Sequence, residues 1–450
     1  MTHSYRHWIA TGLAHALMAD ADQPGGQSAQ ALQARAQQCM GTRGTWLKPL
    51  AEAVAREFAR NPRHHTVATL ADHIFELPQF DAAFAPGQPR PRVRRLLLRT
   101  ARMAAPPFEL AGLELPSLPT LTDLAAWLDV SLERLQWLIA PSQNFRETEP
   151  APGRANVPPG LHYHALLKPK RSDGLRLIEI PKPDLKRVQR RLLSGLLDRI
   201  PVHECVHGFS KGRSVLTHAA EHTGQAVVIC HDLRDFFNSI GIARIRALWR
   251  TLGYPEGVSA ALAALCTART PRAVRERLLE CGSIDRRGAA RLASPHLPQG
   301  APTSPALANL CGFALDLRLD GLAWRFGARY SRYADDLAFS GPADLMPRRR
   351  NLQAWVQAIA HAEGFALHPD KTRAMPSHRR QRLTGVVVNE RPNLERCAYD
   401  RLRAQLHALA ALGCDEATRM RLQGQVSWAS QLVCGSRARK LDRLLAAISS

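Results

Sequence analysis

The stretch Tyr330-Ser-Arg-Tyr-Ala-Asp-Asp-Leu-Ala-Phe-Ser340 sets two alternating arms on either side of an adjacent aspartate pair. Alternation with period two marks a strand, so the stretch predicts a β-hairpin with Asp335 and Asp336 at its tip. Aspartate also suits turns for local reasons, and a solvated hairpin would account for an Asp-Asp pair that stood alone. A second acidic stretch lies upstream. The apolar run Ala226-Val-Val-Ile-Cys230 reads as a buried strand and leads into His231-Asp-Leu-Arg-Asp-Phe-Phe-Asn-Ser-Ile240, which places Asp232 at a strand end.

Carboxylates on a strand end and a hairpin tip suit phosphoryl transfer. That chemistry needs charge neutralised on the attacking and leaving oxygens, which two metal ions roughly 4 Å apart provide. Magnesium takes hard oxygen ligands and keeps some waters, so two or three aspartates and a substrate phosphate suffice. Asp232 and Asp335 are the expected bridging ligands for two Mg2+ ions, with Mn2+ as a substitute. Asp336 is the third ligand, less directly engaged, and Leu233 is counted with the metal-binding residues. Asp235, on an element leaving the strand, is expected to point elsewhere. Between the acidic stretches, His296-Leu-Pro-Gln-Gly-Ala-Pro-Thr-Ser-Pro-Ala-Leu-Ala-Asn-Leu310 predicts a fixed loop and then a helix from Ser304 or Pro305. Such a loop can present the Gln299 amide to a sugar or base, or serve only as a rigid turn.

The surrounding 450 residues bound the possibilities. Hydrophobic residues make up 45%, with no run of eighteen apolar residues, so no membrane span is expected. Met1 to Asp20 mixes His, Arg and Asp among apolar residues and reads as cytoplasmic rather than as a secretory signal. The 9 cysteines include no Cys-x-x-Cys pair and read as reduced, mostly buried thiols. Sixty-one Lys and Arg against thirty-nine Asp and Glu give a net charge of +22, which favours polyanionic partners and salt-dependent binding.

Three textures follow along the chain. Residues 1–145 read as mainly helical and of unknown role, with a helix over Trp46 to Phe58 and a break at Pro86 to Pro91. Arg90, Arg92, Arg94, Arg95, Arg99 and Arg102 then crowd together, fitting a solvated helix face or a phosphate-tracking surface equally. Leu121 to Ile139 predicts two short helices with Ser131 as N-cap. The pattern resembles a helix-turn-helix, but packing of Leu124, Leu128, Leu132 and Leu135 explains it better than DNA reading. After a polar connection, Ser142 to Pro159, residues 160–390 mix strands with helices, including helical spacing over Ala306 to Leu319. Residues 391–450 read as helices, with Leu402, Leu406, Leu409, Leu441, Leu444 and Leu445 on apolar faces.

The three blocks around Asp232, Gln299 and Asp335, in this order, resemble the palm motifs of reverse transcriptases. The resemblance implies an α+β right-hand polymerase: fingers and palm with an antiparallel sheet carrying the catalytic hairpin, and a helical thumb, preceded by a mainly helical region. It implies that Asp232, Asp335 and Asp336 are catalytic and that Gln299 contacts template and nucleotide. It further implies that Phe237 excludes a ribose 2′-hydroxyl, while Phe236 serves the core. Lys168-Pro-Lys-Arg-Ser-Asp-Gly-Leu-Arg-Leu-Ile-Glu-Ile-Pro181 is similar to the fingers segment that holds a deoxynucleoside triphosphate, with Lys170 and Arg176 as candidates. Lys371, in His368-Pro-Asp-Lys-Thr372, matches a lysine placed near the triphosphate.

Two further segments are similar to the bacterial retron-type subfamily. Gly208-Phe-Ser-Lys-Gly-Arg-Ser-Val-Leu-Thr-His-Ala-Ala-Glu-His222 matches a region containing Asn-Ala-x-x-His, with His218 in place of asparagine and Ala219 and His222 kept. Arg382-Leu-Thr-Gly-Val-Val-Val-Asn389 matches a Val-Thr-Gly motif, with Leu383 replacing valine. His218, His222, Thr384, Gly385, Arg437, Arg439 and Lys440 are the expected RNA-binding residues. The resemblance implies a cognate noncoding RNA as template and primer, an RNA-linked single-stranded DNA product, an effector protein and a role in antiphage defence. The alternatives are another bacterial defence or group II-like reverse transcriptase with different priming, or an RNA-binding antitoxin or scaffold with a polymerase fold.

Overall fold

The predicted hairpin forms, and it forms inside a sheet. In the computed structural model, which describes residues 2–21, 23–61, 66–98, 102–140, 162–170 and 174–448, the chain divides into units 1–102 and 103–450. The second unit carries eight described strands: β1 (Tyr163–Pro169), β2 (Leu175–Pro181), β3 (Val227–Asp232), β4 (Arg329–Tyr333), β5 (Asp336–Gly341), β6 (Arg373–Pro376), β7 (Arg382–Leu383) and β8 (Val386–Val387). The central sheet has the order β4-β5-β3-β6, with every pairing antiparallel.

Burial of β3 on both faces explains its unbroken apolar run. Val227 and Ile229 enter the larger core with Leu337 and Phe339, whereas Val228 and Cys230 enter a second core with Ala338, Ala219, Leu383 and Val386. The hairpin arms are buried too, with Tyr330, Ser331 and Arg332 in β4 and Leu337 to Gly341 in β5 all enclosed. A solvated hairpin is therefore excluded. The helix expected over Ala306 to Leu319 is two helices, Ser304–Cys311 and Phe313–Arg325, which meet at Gly312. A Cβ on Gly312 would lie 3.0 Å from an Arg332 guanidinium nitrogen, so the junction is small because the arginine passes close by.

Helices Leu121–Leu128 and Leu132–Ile139 belong to this second unit rather than to a region ending near residue 145. Ser131 caps the second of them, as expected. Leu124, Leu128 and Leu135 are fully buried in the larger core, so the pair is packing structure. Helices Arg396–Leu412, Glu416–Ser430 and Gly435–Ala446 make a bundle around Leu402, Leu406, Leu422, Val426 and Leu441. The second unit is thus α+β, an antiparallel sheet flanked by helices, with the helical bundle following it in the chain.

The first unit is helical: Thr2–Met18, Ala29–Met40, Leu47–Arg60, Val67–Glu76 and Pro78–Asp81 enclose Leu13, Leu17, Leu32, Leu50, Val54, Leu70 and Phe80. Its arginine-rich end is extended rather than helical, since Pro89 and Pro91 lack the amide hydrogen a helix needs. Val93 and Leu97 pack onto the core while Arg90, Arg92, Arg94 and Arg95 stay exposed; Arg102 pairs with Asp20, and Arg99 lies outside the described residues. The connection Ser142 to Pro159 also lies outside them. Five of the nine cysteines are buried. No described helix is long and apolar enough to cross a membrane.

Candidate active site

The register of the central sheet assembles the acidic residues. Asp232, the last residue of β3, is paired with Asp336, the first of β5, and the Leu233 amide donates to the Asp335 carbonyl at 2.8 Å. The hairpin turns through only Ala334 and Asp335. Ala334 takes a left-handed conformation (φ 57°), which a residue with a Cβ adopts only when its surroundings impose it.

Those surroundings are a buried polar frame behind the tip. Arg332 and Asp316 are both 0% exposed and pair twice, Nε to Oδ1 and Nη2 to Oδ2, each at 2.7 Å. Burial alone would lower the Arg332 guanidinium, but Asp316 outweighs it and holds the group above its ordinary value. Arg332 Nη1 donates to the Ala334 carbonyl and to Asn309 Oδ1, both at 3.1 Å. Asn309 in turn donates to the Gly208 carbonyl at 2.8 Å. Gly208 has no room for a side chain, because a Cβ there would lie 2.5 Å from the Ala334 nitrogen. Sequence reasoning passed over Arg332, Asp316, Asn309 and Gly208. The available signal was an arginine in the middle of a buried-strand pattern, which demands a charged partner.

The carboxylates crowd one another. Burial, then Asp335 and Asp232, push Asp336 up to about 6, and burial followed by Asp232 raises Asp335. Lys371 and Arg176 pull Asp335 the other way, so both expected triphosphate contacts are electrostatically felt at the tip. Lys371 Nζ lies 2.9 Å from each Asp232 oxygen, and the lysine is 53% exposed where the aspartate is only 13% exposed. Lys371 is thus a direct partner of Asp232.

Clustered hard-oxygen donors destabilised by their own repulsion are the donor set that a divalent cation relieves, so these residues fit magnesium. Among the described residues no three His, Cys, Asp or Glu side chains are placed to hold a metal ion by themselves, so any ion here would need water or substrate oxygens as further ligands. Leu233 has a buried side chain and can offer only its carbonyl. Asp235 turns away, as expected, and accepts from Arg291 at 3.1 Å.

The remaining expected residues divide by exposure. Phe236 is buried and Phe237 half-buried beside it, with ring centroids 5.6 Å apart. The Gln299 carbonyl accepts from the Glu179 amide of β2 at 2.9 Å, and Glu179 is fixed by Thr270 and His296 at 2.8 and 2.9 Å. The Lys170 amide donates to the Gly174 carbonyl where the ends of β1 and β2 face each other. Thr384 and Gly385 form the β7–β8 turn, half-buried and exposed respectively, and Arg437, Arg439 and Lys440 are exposed on the last helix.

His218 and His222 depart from expectation. Both are 0% exposed, and His222 lies between the central strands, with Nδ1 2.7 Å from Ser340 Oγ and Nε2 2.6 Å from Ser331 Oγ. Neither side chain can touch RNA from there. His218 instead has its ring 5.7 Å from that of Tyr333 and its Nδ1 3.4 Å from Thr384 Oγ1, linking the hairpin base to the β7–β8 turn.

Residues 168–388 match the family model described as reverse transcriptase (RNA-dependent DNA polymerase). The retron Mx162 and Mx65 reverse transcriptases of Myxococcus xanthus are 41% and 42% identical over 276 and 272 residues. Residues 168–388 are thus similar to reverse transcriptases, and these relatives are retron enzymes. Those alignments cover 59% and 60% of this chain and 52% and 61% of the two relatives, so the chain spans just over half of their lengths. The retron Ec86 reverse transcriptase of Escherichia coli is 29% identical over 301 residues, 67% of this chain and 81% of its own. The matched segment contains every acidic residue of the site and the frame behind them, from Gly208 to Arg332.

Proposed function

We propose that this chain is an RNA-directed DNA polymerase of retron type. It would use a cognate structured noncoding RNA as template and primer and make RNA-linked single-stranded DNA, in antiphage defence together with an effector protein. The observation that carries the reading is the sheet register that pairs Asp232 with Asp336 and brings Asp335 beside them, in a segment similar to reverse transcriptases, where burial and neighbouring carboxylates raise Asp335 and Asp336.

Asp232 and Asp335 would hold two divalent ions, Mg2+ or Mn2+, with Asp336 and the Leu233 carbonyl beside them. When bound, the ions neutralise charge on the attacking and leaving oxygens of the nucleotidyl transfer. Lys371 and Arg176 supply positive charge on the triphosphate side, Lys371 from its place on Asp232. Lys170 joins them from just past the end of β1. Phe237 walls the sugar position, and Gln299 faces template and nucleotide from a loop fixed to β2. Thr384, Gly385, Arg437, Arg439 and Lys440 remain exposed or half-exposed for RNA, whereas His218 and His222 act from behind the sheet.

Replacing Asp335 and Asp336 together by asparagine should reduce DNA synthesis by at least about a thousandfold, the scale of several kcal/mol of metal-held charge stabilisation. RNA binding, measured by filter retention of the co-purified RNA, should persist. Undiminished synthesis in the double variant overturns the assignment. Sequencing the co-purified nucleic acid tests the priming: branched RNA-linked DNA is expected, and long unbranched cDNA alone would favour a different priming mode.

A further inference from the structure

Among the described residues, Phe209 is the one large hydrophobic at the rim of this site that is both exposed and backbone-strained. Its side chain is 52% exposed and its φ is 58°, a conformation that a bulky residue rarely adopts and that folds retain chiefly at functional positions. The strain is imposed from below. Gly208 is wedged against the Ala334 nitrogen, and its carbonyl is held by Asn309, so the chain has no freedom to relax as it leaves the hairpin tip. What this support presents is an aromatic ring whose centroid lies 6.3 Å from that of Phe237 and 6.3 Å from that of Tyr333. The trio joins the residue after Gly208, the half-buried ring five positions past Asp232, and the base of the acidic hairpin. Core packing does not explain Phe209, since half of it faces solvent.

We propose that Phe209 is a specificity-determining residue: its ring braces Phe237 from the solvent side and contacts the sugar of the incoming nucleotide, so that the two rings together select deoxyribose. This rests on the polymerase reading above. An aromatic held edge to face or tilted against another gains from ring electrostatics as well as contact area, which keeps the Phe237 ring in one orientation at the pocket wall. Without Phe209, the Phe237 ring gains room to swing aside and admit a 2′-hydroxyl.

The positive φ supplies the test. Glycine adopts that backbone conformation without strain, so Phe209→Gly removes the ring while easing the fold. Single-nucleotide incorporation of dGTP and GTP on a synthetic RNA template with an annealed DNA primer, in Mg2+, gives the ratio of kcat/KM for the two sugars. In Phe209→Gly the ratio should fall by about two- to tenfold, the worth of one aromatic pair, with a thermal midpoint no lower than wild type. Phe209→Tyr should keep the wild-type ratio. An unchanged ratio in Phe209→Gly overturns the proposal. A fall in ratio accompanied by a lower midpoint also overturns it, because Phe209 is then a structural prop. Failure of the polymerase reading is separable, since wild-type protein would then extend no primer with either nucleotide.

Discussion

Two tight hairpins of the second unit invite comparison: Ala334-Asp335 between β4 and β5, and Thr384-Gly385 between β7 and β8. Each turns in two residues, and each forces a residue with a Cβ into positive φ, 57° at Ala334 and 43° at Thr384. The first is braced by buried charge, with Arg332 paired to Asp316 and donating to the Ala334 carbonyl. The second leans on a neutral contact, His218 Nδ1 at 3.4 Å from Thr384 Oγ1, at the long limit for a hydrogen bond. A turn that must hold crowded carboxylates is tied by charge-assisted bonds, which keep their geometry; a turn facing outward needs less.

The sharpest way to break this contrast is Asp316→Asn, which leaves Arg332 buried without a counter-charge. Chemical denaturation should show a loss of about 3–5 kcal/mol. Replacing both partners, Asp316→Leu with Arg332→Met, should recover much of that stability yet leave DNA synthesis impaired, because the Ala334 carbonyl has still lost its donor. Full recovery of both would make the pair ordinary packing.

A smaller effect concerns the histidines that brace the other side. Burial, followed by the neighbouring histidines, lowers His218 to about 2; burial, with His207 and Arg329, lowers His222 to about 3. The unfolded chain binds these protons near pH 6.5 while the folded chain refuses them, so their contribution is intact above about 6.5 and is lost as pH falls. Unfolding free energy should therefore decline below about pH 6.5 with up to about 1.4 kcal/mol per pH unit for each histidine. In His222→Gln that slope should lessen by one histidine's share; an identical slope would mean the ring titrates in the fold.

The smallest effect is expected at the second turn. Thr384→Gly removes a β-branched residue from φ 43° and should raise unfolding free energy by up to about 1 kcal/mol, net of the weak His218 contact. A loss of stability there would show that the histidine contact matters more than its length implies.

Chain pattern alone was enough for the elements that carry chemistry. The Tyr330 to Ser340 alternation, the apolar run into Asp232, the Ser304 start and the Ser131 cap are local signals, governed by strand pleat, proline geometry and capping, and each is present in the fold. The family resemblance separated Phe236 from Phe237, and the strand end turned Asp235 away. What remained unreadable depends on atoms distant in sequence. His222 reads as an exposed motif residue until β4 and β5 close over it with Ser331 and Ser340. The arginine-rich end reads as a helix face until its prolines and the seating of Val93 and Leu97 hold it extended. Helices Leu121–Leu128 and Leu132–Ile139 could be assigned to their unit only by the core they enter. The sequence determined which residues are acidic, aromatic or turn-forming, because those are properties of side chains and short backbone runs. Only the tertiary structure decided that Arg332 and Asp316 hold the Ala334-Asp335 turn, that Lys371 sits on Asp232, and that Phe209 stands beside Phe237, because each is a distance between segments that folding alone brings together.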